Sequence, residues 1–419
     1  MSQTSAGLTI LSNQTSYADS ENIDSFERLR ISDPFTIFSV QCQYNTATIK
    51  MESGTTGTGV APSHSANTRL VTLSATAGTG TCFMQSYKYC PYQPGKSTLV
   101  KITGCFGTPV AAATMDYMYG DANNGIIYRM NGTSGVQIGL RTSTSGSAST
   151  NFVNQVNWNI DKLDGTGISG KTLDTTKDFI LMIDLQFLGM GRVRVGFNID
   201  GIIVPVHQFL CANLLTVPYM QSATLPIQIL LTATATGSTA NCYFKCAAVE
   251  SEGGFSGAQG YTFSTPEGTV TANSGARTHL ISIRPKTTFN SIVNRNFFTL
   301  DDIHMYVTGS NPVYWELCVG VTFSVAPTYA DVNSTYSAFE YGTGGTYSGL
   351  TGLVISSGYL GPTTNQSGAV PISHITQQLY DISLDRSGAV RANGTLTLLV
   401  SGIGGTSAAR GSLNYLEMR

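Results

Sequence analysis

The chain has 419 residues and a net charge of −2; 11% of it is charged, 41% is hydrophobic and 45 residues are glycine. An ordinary soluble domain carries roughly 25% charge, so hydroxyl and amide side chains take its place here. With 18 Phe and 20 Tyr to bury the chain is not disordered, and it lacks the clustered Lys and Arg that binding to nucleic acid or an anionic membrane requires.

The first residues, Met1-Ser2-Gln3-Thr4-Ser5, contain neither a basic start nor an apolar run, so no secretory signal is expected. No span reaches the ~20 apolar residues of a membrane helix. Synthesis in a reducing cytoplasm follows, and the sequons at Asn13, Asn131, Asn333, Asn365 and Asn393 are read as unused. Residues 1–40 differ from the rest. A polar tail leads into Asp24-Ser25-Phe26-Glu27-Arg28-Leu29-Arg30, then Ser32-Asp33-Pro34-Phe35 and Phe38. Two readings stand side by side. One is an arm that docks on a partner through Phe26, Arg28, Leu29, Arg30, Pro34, Phe35 and Phe38; the other is an ordinary first strand closing a sandwich.

From 41 to 253 short strand patterns alternate with Gly, Asn and Asp turns, and long periods of 3.6 are missing. Leu99-Val100-Lys101-Ile102, Gly125-Ile126-Ile127-Tyr128, Val136–Leu140 and Ile227–Leu231 all read as strands. The clearest pattern is a hairpin. Ile183, Leu185 and Phe187 alternate with Asp184 and Gln186. Beyond Gly189-Met190-Gly191, Val193, Val195, Phe197 and Ile199 share one side, while Arg192, Arg194, Asn198 and Asp200 share the other. Asp200-Gly201 supplies the two positive φ angles of a tight turn, and Ile202-Ile203-Val204 runs back. The spacing places Cys242, Phe244 and Cys246 on one face. The eight cysteines sit among apolar neighbours with no Cys-x-x-Cys, so they read as reduced, small hydrophobes rather than disulfides or zinc ligands.

Glu252-Gly253-Gly254 marks the joint to a second β region, 254–419. Its strands include Leu280–Ile283, Ile303–Val307, Trp315–Val321 and Thr395–Val400. Residues 375–386 suit one helical turn. The Gly-, Ser- and Thr-rich segments 53–66, 142–151 and 342–350 read as exposed loops.

Three motifs suggest chemistry, and each yields to a plainer reading. Pro94-Gly95-Lys96-Ser97 lacks the earlier glycine of a phosphate loop, since Cys90 stands there, and its flanks are β. Asp161-Lys162-Leu163-Asp164-Gly165-Thr166-Gly167 has the look of a calcium loop, but its spacing is wrong and Leu173 holds the closing position; a structural turn is favoured over a weak divalent site. His64, His207, His279, His304 and His374 are scattered, outside any catalytic motif. No catalytic residue, metal ligand or cofactor is expected.

The run Asp24–Phe38 resembles an amino-terminal signature in structural proteins of tailed phages and large aquatic viruses. Tyr92–Ser97, Trp158–Gly167 and Leu188–Phe197 are similar to segments of the same group, in the same order, so the likeness spans residues 20–255. Ser39 follows Phe38 where that group's pattern has an aspartate. The resemblance implies a virion component. The sequence therefore predicts an all-β chain: an arm (1–40), a jelly-roll or concanavalin-like sandwich (41–253) and a second sandwich (254–419). The expected role is a non-enzymatic virion protein, as capsid, decoration, fibre or tail part, bound to other virion proteins and to itself. A trimer is expected from fibre and capsid geometry. The alternatives are a carbohydrate-binding receptor module for host-surface glycan and a polysaccharide-degrading spike.

Overall fold

The computed structural model describes residues 33–256, 260–362 and 382–418, with the strands Gln3–Ser5, Leu8–Leu11, Gln14–Tyr17 and Ser367–Pro371. Antiparallel strands make up almost all of the regular structure. Among the described residues the one helical element is the short 3-10 turn Gln155–Asn157.

The first sandwich is a single sheet curled onto itself. Its front layer runs Ser149–Asn154, Gly135–Thr142, Gly125–Asn131, Ala113–Gly120, Ile227–Thr236. Its back layer runs Ile202–Phe209, Val193–Ile199, Phe179–Leu185, Ser97–Phe106, Ala240–Glu252. The long strand Val71–Ser86 turns the corner between them: Gly78–Gln85 pairs with the front layer and Val71–Ala75 with the back. Pairing is irregular between Ala233 and Thr236, where Ala235 takes φ 52°, and such bulges let a sheet bend.

The period-two pattern explains what fills the space between the layers. Phe106, Tyr117, Tyr128, Phe179 and Phe197 interlock, with neighbouring ring centroids about 5 Å apart. Tyr117 reaches across from the front layer to donate to the Cys105 and Tyr243 carbonyls of the back one. Gly104 makes room for it, since a Cβ there would lie 2.3 Å from the Tyr117 ring. The predicted hairpin is present: Ile199 pairs with Ile202, and Asp200 and Gly201 have φ of 56° and 79°, the two positive angles of a type I′ turn.

The second sandwich packs two separate sheets around its own core of Ile281, Leu300, Trp315, Leu398 and Tyr415. One sheet orders Tyr261–Ser264, Ser407–Met418, Phe297–Thr308, Ser367–Pro371; the other orders Thr328–Asp331, Phe339–Thr343, Thr278–Pro285, Leu396–Gly402, Val313–Val325, Thr346–Leu360. Glu417 is fully buried between them. Its carboxylate accepts from the Ala338 N–H, the Ser337 hydroxyl and the Asn296 amide.

Several expectations change. Residues 35–41 form a strand paired to Ala240–Glu252, so this end of the predicted arm belongs to the first sandwich. The register slips between Phe244 and Cys246, which turns Cys246 away from the face that buries Cys242 and Phe244. Segments 53–66 and 342–350 are largely strand, in Met51–His64 and in the end of Phe339–Thr343 with the start of Thr346–Leu360; β-branched Thr alternating with Gly fits an edge strand as well as a loop. Of 375–386, residues 375–381 lie outside the described ones, and 382–386 contain no helix, with Leu384 bridged to Val390 and Arg386 entering a turn. All eight cysteines are free thiols; burial pushes Cys42 up to about 12, with Cys246 nearby adding to it.

Candidate functional site

The outward face of the front layer carries a connected set of polar and aromatic groups. Alternation sends Tyr117 inward and Asp116 and Met118 outward, and cross-strand pairing lines these outward groups into two rows. One row reads Gln137, Arg129, Asp116, Leu230, Phe83, Gly54; the other reads Phe152, Gly139, Ile127, Met118, Gln228, Gln85, Glu52. Glycine sits under each aromatic ring, because a Cβ on Gly54 or Gly139 would lie 2.6 Å from Phe83 or Phe152.

Asp116, Glu52 and Asp121 are the acids at this face, and each is committed. Asp116, 1% exposed, takes a two-pronged ion pair from Arg129 at 2.7 Å on both oxygens, the strong planar geometry of Arg with carboxylate. Glu52 accepts the Arg386 backbone N–H at 2.8 Å. Asp121 accepts the N–H groups of Asn123 and Asn124 within its own turn. Asp116 and Glu52 also stand three strands apart, roughly 14 Å at ~4.8 Å per strand. Two carboxyl groups that share a glycosidic bond sit within about 9.5 Å.

Arg386 comes from the second sandwich, on the finger 382–394, and caps both rows. Its guanidinium lies 4.3 Å from the Phe83 ring centroid. Three further cation–π pairs join the sandwiches. Arg391 lies over Tyr87 at 3.8 Å, Arg295 over Tyr89 at 4.2 Å and Lys88 over Phe297 at 4.4 Å. Arg295 also donates to the carbonyls of Asp385 and Arg386, which ties the finger down. Partly desolvated pairs of this kind contribute about 0.5–2 kcal/mol each.

The second sandwich holds a His–Ser pair that sequence reasoning did not single out. His279 Nε2 and Ser282 Oγ are 2.7 Å apart, as in a nucleophile and its base. The Gly345 N–H donates to Nδ1 at 3.0 Å. Nδ1 is therefore unprotonated, Nε2 carries the proton, and the ring donates to Ser282 instead of taking its proton. Burial holds His279 down at about 4, so it stays neutral, and Ser282 is fully buried beside Thr397. The pair is a polar clamp, buried on the face of its sheet turned away from the core.

The motifs resolve as turns. Asp161 accepts N–H bonds from Leu163 and Ser169, and Gly167 packs on its carboxylate. Burial alone would raise its pKa, but these hydrogen bonds outweigh that and lower it. Asp164 is held by Thr166. Among the described residues no three His, Cys, Asp or Glu side chains gather as a metal site. Lys96 donates to Gln93 and to the Gly254 carbonyl, so the phosphate-loop look-alike clasps the joint between the sandwiches. His207 is buried, accepts from the Asn159 N–H and is lowered by burial.

Of the predicted partner-binding residues, Phe26, Arg28, Leu29 and Arg30 lie outside the described ones. Pro34 is exposed. Phe35, 46% exposed, stacks on Phe255 beside a cavity of about 440 Å³ that opens between the sandwiches. Phe38 is buried in the first core. The rows on the outward face were missed because their acids lie far apart in sequence; Arg129 and Asp116 meet only through strand pairing.

No family model matches the sequence, and no curated protein does. Solved structures are distantly similar. An endo-β-1,4-glucuronan lyase from Trichoderma reesei is 12% identical over 51% of this chain and 95% of its own, at a TM-score of 0.34. A β-1,3-glucanase from Mycobacterium marinum is 11% identical over 51% and 98%, at 0.35. Peanut lectin is 9% identical over 52% and 99%, at 0.31. At such scores the chemistry of this chain rests on its own residues.

Proposed function

We infer that this chain is a non-enzymatic structural subunit of a virus particle, built to associate with itself and with neighbouring virion proteins. The observation that carries the non-enzymatic half is the commitment of Asp116, Glu52 and Asp121, described above. The two sandwiches, joined by four cation–π pairs and the Arg386 finger, make a stiff block suited to assembly. The virion half rests on the Asp24–Phe38 signature and on a surface poor in charge. A direct test deletes residues 1–32, stopping short of the strand Phe35–Gln41. The truncated protein is expected to fold and to be missing from particles. Normal incorporation would overturn the role given to the arm, and intact particles that never contain the full-length chain would overturn the virion reading itself.

A second reading, glycan adhesion, is favoured by one observation. At the open end of the rows the Phe152 ring lies over Gly139, with Arg129 at 4.1 Å from its centroid and the Gln137 and Asn154 amides alongside. An apolar plate ringed by amides suits a neutral sugar, and many copies per particle would amplify weak contacts. Saturation-transfer NMR with host glycans, lost in Phe152→Ala, would support it; signals unchanged by that substitution would remove it.

A further inference from the structure

From Gly201 to Phe244 the chain contains no Asp, Glu, Lys or Arg. About half of that stretch is strand, whose apolar side chains are mostly buried, Ile202 and Ile203 beside the hairpin turn excepted. The loop 210–218 is different. Leu210, Leu214, Leu215 and Val217 are 43–69% exposed, and Leu188 on the adjoining turn is 59% exposed. Ala212, Asn213, Thr216 and Pro218 between them are also exposed.

The exposure is built in. Buried Cys211 anchors one end, its carbonyl accepting the N–H groups of Leu214 and Leu215 at 3.1 Å. Buried Tyr219 anchors the other, donating its N–H to the Gly189 carbonyl at 3.1 Å, while Gly189 lies against Pro218. Leu188 is held in a left-handed conformation, φ 44°, with its N–H on the Tyr92 hydroxyl. A β-turn of this kind ordinarily takes Gly or Asn at such a position. Here a leucine stands there and faces solvent.

We propose that this loop and Leu188 form a self-association surface, on which a second copy of the chain seats the same loop across a two-fold axis. Two observations select a second copy. The first is charge: a patch that meets itself brings like beside like, and an uncharged loop does so without repulsion, where any Lys or Asp in it would face its own image. The second is area. The five aliphatic side chains expose on the order of 500 Å², the upper end of what a monomer's surface carries. With the small residues between them the patch approaches the roughly 800 Å² per partner of a standard interface. The proposal rests on the self-assembling role inferred above and names the contact through which copies meet. One patch meeting itself closes a pair, so this contact gives a dimer, not the trimer expected from fibre geometry.

Sedimentation velocity of the full chain over a dilution series, at low and high salt, tests it. A dimer is expected whose dissociation constant barely changes with salt, since no ion pair is made. Leu214→Asp should weaken it at least roughly 30-fold, the scale of a hot-spot residue. Ile168→Asp, at a 95% exposed position on another loop, should leave it unchanged and controls for added charge. A monomer throughout, or a dimer indifferent to Leu214→Asp, would overturn the proposal and leave the particle-incorporation test of the virion role standing. So would binding to phosphatidylcholine vesicles, abolished by Leu214→Asp, from a chain monomeric in solution, because the occupant would then be lipid. A persistent dimer that never enters particles would sink the virion reading alone.

Discussion

The two sandwiches solve the same problem, holding one β layer against another, with different chemistry. In the first, five aromatic rings interlock between layers of one curled sheet, and Tyr117 adds a hydroxyl that crosses the gap. In the second, two separate sheets meet over an aliphatic and aromatic core that also buries the Glu417 carboxylate with Ser337, Ala338 and Asn296. His279, Ser282 and Thr397 make a buried polar clamp on the other face of one of those sheets. The first core is held by the shape of its rings. The second also relies on a buried polar group keeping its hydrogen-bond partners.

The largest effect should come from the rings. Phe197→Ala removes a ring that touches Tyr128, Trp158 and Phe179, and should cost about 4 kcal/mol in chemical denaturation. A loss under ~1 kcal/mol would mean that the core closes over the gap and that ring packing is not what joins the layers.

Acid should weaken the second sandwich through His279. His279 has an ordinary pKa of 6.5 unfolded and about 4 folded, so the unfolded chain takes up the proton first as pH falls. Its contribution is complete above pH 6.5 and is lost progressively down to about 4, amounting to about 3 kcal/mol in total. Denaturation across that window should show a shallower slope for His279→Gln than for the parent. His207, also lowered by burial, acts with the same sign in both proteins. Identical slopes would place the acid sensitivity elsewhere.

Glu417→Gln keeps shape and changes charge, which separates packing from polarity. The amide turns a donor toward the Ser337 hydroxyl and Ala338 N–H, and the expected cost is about 2 kcal/mol. A neutral result would show that the second core, like the first, is held by shape. Tyr117→Phe is the smallest of the set, at about 1 kcal/mol, since the ring stays and only the bonds to the Cys105 and Tyr243 carbonyls go. A cost above that of Phe197→Ala would reverse the contrast between the two sandwiches.

The same contrast explains what was legible in the sequence. The hairpin around Asp200-Gly201 could be read letter by letter, because a strand with one buried face must alternate and its turn must offer positive φ. Met51–His64 and Thr346–Leu360 could not, because edge strands rich in Thr and Gly bury too little to alternate. The slip at Cys246 was hidden for a related reason, since one extra residue inverts every later side chain. The meeting of Glu52 with Arg386 joins groups 334 residues apart, and no local pattern announces it. Buried polar clamps such as His279–Ser282 read in sequence like any scattered histidine and serine.

The claim that the outward acids are committed, and that the chain works by assembly, meets its most direct test in turnover. Release of reducing sugar from host-envelope polysaccharides should be measured for the purified full chain and for Asp116→Asn and Glu52→Gln. All three are predicted to show no release above a protein-free control. Turnover by the parent chain that either substitution abolishes would contradict the account and make the outward face an active site.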